Sequence, residues 1–379
     1  MRILLVGEYS RLHNSLKEGL LALGHEVTLI GTGDGFKSYP IDYNIDCKWS
    51  QNKVINVFRQ IIFRLFKFDF ATTERGLRFW MYLKHFKNYD IVQFINEAPI
   101  KTTPKFELFL IKKLLRKNGK MFLLSSGVDK NNVDFLLTRT LKYSLLDPYF
   151  ENPNLRSQYH YVFQYLKPAH QNLSAFVYDY TKGIIASDID YVLPLQGDPK
   201  FIGLIPNPVN SNEIEFISIE IKDKICIFLG INTLNATQKG IIFFEEALKI
   251  VEKKYPEKVE ILVTKNLPYK EYINIYNRCH ILLDNVYGYD QGYNALEAMA
   301  KGKVVFTGAE EEFMEYYKLK ERVNVNALPD VDYLVKELSF YIENIDEIQK
   351  TGKRARAFIE KEHNHIKIAQ KYLDTWLLK

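Results

Sequence analysis

The feature that most constrains the fold of this chain is an alternation of strand-like and helix-like patterns that runs to about residue 193, breaks, and starts again. Residues 2–7 (RILLVG) form an apolar run of strand length; Leu12, Leu16, Leu20 and Leu23 follow at helical spacing, Gly24 supplies a helix stop, and 27–30 reads as a second strand. Further strand-like runs lie at 90–95 (DIVQFI), 121–124 (MFLL) and 183–186 (GIIA), with helical patterns between them. Strand, helix, strand order predicts a parallel sheet with helices on its faces, a doubly wound α/β domain. The segment LIPNPVNSN then breaks regular structure with Pro206, Pro208, Asn207 and Asn210. Beyond it the pattern resumes with strands at 225–229, 259–263, 280–283 and 304–306 and helices at 241–253, 269–278 and 293–300. A second α/β unit of similar architecture is predicted, with the boundary at 205/206.

The length of 379 residues accommodates two domains of about 150 residues each. An apolar content of 47% with 26% charged residues excludes wholesale disorder. No window nears the ~18 uninterrupted apolar residues of a membrane span, and MRILLVGEYS does not read as a signal peptide. Cys47, Cys226 and Cys279 are too few and too scattered for a disulfide framework or a thiolate zinc site. A cytoplasmic location is expected.

The formal charge of +5 is unevenly shared: residues 1–200 carry +8, the remainder −3, and 51–120 alone +10. Within 53–70, Val54, Phe58, Ile61, Ile62 and Leu65 share one helical face while Lys53, Arg59, Arg64 and Lys67 gather on the other. Together with the basic run Lys112, Lys113, Arg116, Lys117 and Lys120, this admits two readings, a core-facing helix or peripheral contact with an anionic membrane through 53–70 and 112–120. Nucleic acid is not an expected partner, because no recognisable binding module is present.

Nucleotide signatures are sparse. The turn after the first strand, Gly7-Glu8-Tyr9-Ser10, holds one glycine where a dinucleotide-binding turn needs G-x-G-x-x-G, and no P-loop is present. GTGDG at 31–35 has no helix pattern directly behind it and reads as a flexible loop, while Asp188-Ile189-Asp190 reads as surface carboxylates. His363 and His365 would point to different faces of a helix, against a metal site, and Glu310, Glu311 and Glu312 offset the dipole of a helix start. The most informative stretch is 284–306, DNVYGYDQGYNALEAMAKGKVVF. A strand end leads through a Tyr- and Gly-rich loop to a tight turn at Gly292 and a short helix. Free amides at Tyr293 and Asn294 suit an anionic group such as a diphosphate, and Glu297, one turn on, suits a ribose diol or simply a solvated helix face. Residues 228–240, FLGINTLNATQKG, place Gly230, Asn232 and Lys239 in a second loop after a strand, so both loops open on the same sheet edge.

These residues resemble a GT-B glycosyltransferase, particularly the retaining family 4 (glycosyl transferases group 1). LEAMAKGKVV is the most specific match; IPNPVN is similar to the family's interdomain segment, and 360–376 to its terminal helix. The resemblance implies an acceptor domain (1–205), a nucleotide-sugar donor domain (206–362) and a helix, 363–379, crossing back onto the first. It also implies a UDP- or GDP-sugar as substrate, no separate cofactor and no metal, and a glycan or lipid-linked acceptor in cell-surface polysaccharide synthesis. Lys239 matches the lysine on the diphosphate, Glu297 the ribose-binding glutamate, and Gly292, Tyr293 and Asn294 the phosphate-holding turn. The family's first glutamate falls at Tyr289, with Asp290 beside it as the candidate for the donor sugar, and its arginine is replaced by Ile231 with Asn232 adjacent. In the first half Gly7, Glu8 and Ser126 are the candidates for substrate contact. A sugar-nucleotide epimerase of the same architecture and a non-catalytic sugar-nucleotide-binding protein are the alternatives.

Overall fold

A computed structural model describes residues 1–35, 39–49, 53–66, 69–217, 221 and 223–379, without the side chains of residues 53–54, 62–63, 65–66 and 269–270. The described strands form two sheets. In the first, β1 (Arg2–Val6), β2 (Glu26–Gly31), β3 (Tyr43–Asn44), β4 (Ile91–Phe94), β5 (Lys120–Ser125), β6 (Ile184–Ala186) and β7 (Phe201–Leu204) lie in the order β3-β2-β1-β4-β5-β6-β7. In the second, β8 (Ile225–Ile231), β9 (Val259–Lys265), β10 (Ile281–Leu283), β11 (Val304–Thr307) and β12 (Val325–Asn326) lie in the order β12-β11-β10-β8-β9. Every pairing is parallel. Helices cover both faces, so the central strands are buried throughout, as in the pattern BBBB of Ile91–Phe94 and Val304–Thr307.

The orders fix where ligands can bind. In each sheet the chain leaves the first strand in one direction and later returns to its other side, so neighbouring connections diverge between β1 and β4 and again between β8 and β10. Such switch points open a crevice beyond the C-terminal strand ends. The loops following β8 and β10 are the two that the sequence marks out.

The chain passes between the sheets twice, side by side. Val209 forms a bridge with Asn364: its amide donates to His363 O at 2.7 Å and its carbonyl accepts from His365 N at 3.2 Å. His363 is buried here, with Nδ1 2.8 Å from Asn207 O, so it serves the crossing. The last helix, His365–Leu378, packs on Leu12–Ala22 of the first half. It buries Trp376, whose indole N–H donates to Gln93 Oε1 at 3.1 Å.

Two expectations change. Residues 31–35 are a structured turn: Tyr39 N donates to Gly33 O at 2.9 Å, and Asp34 Oδ2 accepts from Ser10 N at 3.0 Å. Asp188 and Asp190 are interface groups, since Asp190 accepts from the amides of Tyr289 and Asp290 in the second half. For the 53–70 segment, Phe58 and Ile61 face solvent at 60% and 49% exposure, against a core-facing helix. The side chains of Lys53, Val54, Ile62 and Leu65, and all of Lys67, lie outside the described residues.

Candidate functional site

A cavity of about 670 Å³ lies at the β8/β10 switch point and extends to the first half. Gly230 near the end of β8 and Asn232 and Lys239 from the loop after it line the cavity, as do Asp284 after β10 and Tyr293, Asn294 and Glu297 of the Tyr293–Ala300 helix. Six predicted residues thus share one wall. Ser10 and Tyr39 close the cavity from the first half, and Asn266, Pro268, Tyr272 and Tyr276 form its far end. None of these last six was singled out from the sequence; they come together only through tertiary packing.

Local chemistry explains the wall. Gly230 admits the Tyr272 ring, because a Cβ there would sit 2.5 Å from it. Asn232 Oδ1 accepts from Leu234 N at 3.0 Å, holding the loop after β8 in a turn. Lys239 Nζ donates to Asp284 Oδ1 at 2.8 Å, and Asn294 Nδ2 donates to the same oxygen at 3.0 Å. Asn294 Oδ1 accepts from Tyr272 OH at 3.0 Å, which completes a chain from the lysine to the aromatic wall. The ammonium is therefore fixed in direction while retaining protons for a second acceptor. Gly292 caps the helix without a side-chain hydrogen bond, and the first amides of any helix lack intrahelical partners. An ammonium, helix amides and a carboxylate on one helix can together hold a diphosphate and a ribose diol.

A second cavity of about 420 Å³ adjoins the first, with Ser10 and Tyr293 lining both. Ser126 and Gly292 face it, as do Tyr9, Tyr161, Tyr165 and Asp188. The tyrosine hydroxyl of Tyr293 donates to Pro208 O, tying the shared wall to the interdomain crossing.

The remaining candidates sit elsewhere. Asp290 lines neither cavity: Oδ2 accepts from Ile189 N at 3.0 Å and Oδ1 from Gln291 N at 2.7 Å. Asp190 answers in the opposite direction, so the two carboxylates clasp each other's backbones across the interface. Burial raises the pKa values of Asp188, Asp190 and Asp290, Asp190 to about 7 and Asp290 to about 6. Tyr289 is buried, with its ring 5.3 Å from that of Tyr143 and its hydroxyl accepting from Lys142 N at 3.0 Å. Tyr143 and Lys142 in turn bond Glu310. Gly7 forms the turn after β1 at φ +90°, and Glu8 is buried, accepting from Asn14 N and Nδ2 at 2.8 and 2.7 Å. Their neighbours Tyr9 and Ser10 reach the cavities instead. Among the described residues no group of three or more His, Cys, Asp or Glu is placed to hold a metal ion.

Residues 233–374 match a family model described as glycosyl transferase-like. No curated protein matches the chain. Among solved structures, sucrose-phosphate synthase from Thermosynechococcus elongatus is similar with a TM-score of 0.62 at 13% identity, over 100% of this chain and 98% of that one. Anabaena HepE in complex with UDP and glucose matches with a TM-score of 0.57 at 12% identity, over 100% of both chains. UDP-GlcNAc 2-epimerase from Neisseria meningitidis bound to UDP-GlcNAc matches with 0.53 at 14%, again over 100% of both. At these identities the likeness establishes the fold. The chain has the GT-B fold, two Rossmann-like domains with a cleft between them.

Proposed function

We propose that this chain is a nucleotide-sugar-dependent glycosyltransferase, with the donor in the 670 Å³ cavity and the acceptor in the adjoining 420 Å³ cavity. The observation that carries the reading is the convergence of Lys239, Asn294 and Glu297 with the open N-terminus of the Tyr293–Ala300 helix at a switch point. The glycosyl transferase-like match over 233–374, which contains all of these residues, supports it. In this reading Lys239 and the amides of Tyr293 and Asn294 hold the diphosphate, and Glu297 accepts from the ribose hydroxyls. The nucleotide is UDP or GDP. As the glycosidic bond to the diphosphate breaks, negative charge grows on the leaving oxygen, and fixed donors there favour the transition state over the ground state.

Retention of configuration follows if the departing phosphate oxygen takes the acceptor hydroxyl's proton as the new bond forms on the same face of the sugar. The acceptor is a glycan or a lipid-linked glycan, in assembly of a cell-surface polysaccharide at the cytoplasmic face of a membrane. Residues 1–205 act as the acceptor domain, 206–362 as the donor domain, and 363–379 as the helix joining them. Incubation with a UDP- or GDP-sugar and candidate glycans tests transfer, with NMR reporting the anomeric configuration. An inverted product contradicts retention and points to Asp188, whose Oδ1 is buried, without a hydrogen-bond partner among the described residues, in a side chain lining the acceptor cavity. Conversion of the donor sugar without an acceptor identifies an epimerase instead; nucleotide binding with neither reaction identifies a binding protein.

A further inference from the structure

The first half exposes an apolar surface that its own fold leaves uncovered. Trp80 and Met81, at the end of the helix Phe70–Tyr82, are 52% and 63% exposed, and Phe109 of the helix Pro104–Leu115 is exposed beside them. The Trp80 ring packs edge-on against Phe109 at 5.9 Å, making one patch from two helices. Trp49, also half-exposed, sits under the Arg78 guanidinium at 4.8 Å. The helix Lys53–Phe66 also leaves Phe58 and Ile61 exposed, and its Arg59 pairs with Asp69 at the start of Phe70–Tyr82. Large aromatic groups are costly to leave in water, and contiguous exposed patches mark contact surfaces.

The charge around the patch identifies what it contacts. Of the five acids in 51–120, Glu74, Glu97 and Glu107 are buried, Asp69 is paired with Arg59, and Asp90 accepts from the Arg2 amide. Lys84, Lys105, Lys112, Lys113 and Arg116 stand exposed, the Lys113 ammonium 5.5 Å from the Phe109 ring centroid. A second copy of this chain is a poor occupant, because a two-fold contact would set this basic rim against itself. An anionic bilayer supplies both requirements, acyl chains for Trp80, Met81 and Phe109 and headgroup charge for the rim. The surface also lies near the acceptor cavity: Gly76 of Phe70–Tyr82 abuts Thr102, and Lys101 beside it lies over the Tyr9 ring at 4.2 Å. Tyr9 lines that cavity.

We propose that the Trp80, Met81 and Phe109 surface with its lysine rim docks the first domain onto an anionic phospholipid bilayer. The proposal does not depend on the reaction catalysed. Flotation with phosphatidylcholine vesicles, with and without phosphatidylglycerol, tests it on the full chain. The wild-type protein floats only with phosphatidylglycerol present and is released by salt. Lys112→Glu with Lys113→Glu weakens binding at least tenfold, each cation being worth about fivefold. Trp80→Ser with Met81→Ser and Phe109→Ser abolishes stable flotation at low salt. All variants stay folded, as their far-UV circular dichroism shows, since the altered side chains lie at the surface. A wild-type protein that stays with neither vesicle, or variants that bind as the wild type does, overturns the proposal. So does a wild-type dimer that the Trp80, Met81 and Phe109 substitutions convert to monomer without any vesicle binding, which would assign the patch to a second copy.

Discussion

Lys239 is positioned before any nucleotide arrives, since its ammonium already donates to Asp284 Oδ1. That pairing lowers the cost of ordering a long side chain but leaves the pair neutral, so the helix amides carry more of the burden of a diphosphate. Lys239→Ala is expected to weaken a nucleoside diphosphate by about 2 kcal/mol, near thirty-fold, while leaving the nucleoside unchanged. Glu297→Ala should weaken both equally, because its proposed partner is the ribose; calorimetric titration separates the two cases. The acids at the interface give a pH prediction. Asp190 and Asp290 have folded pKa values of about 7 and 6, above the ordinary 3.8, so the folded state binds protons more tightly than the unfolded chain. Their contribution to stability is complete below pH 3.8 and is lost as pH rises through 6 to 7. Asp190→Asn should flatten the dependence of unfolding free energy on pH across that window by an amount on the order of 1 kcal/mol, as chemical denaturation at several pH values would measure. An unchanged pH profile would remove Asp190 from the interface account.

At the level of elements, the strands were the most legible part, because a strand covered by helices on both faces is an unbroken apolar run. RILLV, ICIFLGI and VVFT are such runs, and each forms a central strand. The two site loops were legible for a related reason: each is a polar break directly after a strand. What was not legible was the direction a loop side chain takes once a second domain is present. Lys239, Asn294 and Glu297 turn into the cavity, whereas Asp290, a few residues away, turns to the amide of Ile189 across the interface. Spacing along one loop carries no information about a partner surface one hundred residues distant in the chain. Ser10 and Tyr39 were missed for the same reason, because their place at the cavity is set by how the halves meet. The terminal helix provides a test at this scale. Trp376→Ala removes a fully buried indole and its bond to Gln93, an expected loss of about 4 kcal/mol that chemical denaturation would measure.

Across the whole molecule, the uneven charge acquires two distinct uses. The second domain is slightly acidic overall and still presents an ammonium and helix amides at its cavity, so the anion recognition proposed there is local. The first domain has its excess of cations in 51–120, where exposed lysines rim the Trp80, Met81 and Phe109 surface. Between them lies the cleft, and the halves are held together by the Val209 bridge to Asn364 and by hydrogen bonds from the Tyr289 amide to Asp190 and from the Thr237 hydroxyl to Gln158. The proposed occupant of this cleft is a nucleoside diphosphate held against Lys239 and Glu297. The most direct measurement is the melting temperature of the wild-type chain with UDP, GDP, ADP and CMP in turn. A ligand that binds the folded state at about one hundred times its Kd stabilises it by about 2.7 kcal/mol. UDP or GDP raises the melting temperature, and Lys239→Ala and Glu297→Ala each diminish that rise; no rise with any nucleotide, or a rise that both variants retain in full, means that no nucleoside diphosphate binds against these residues.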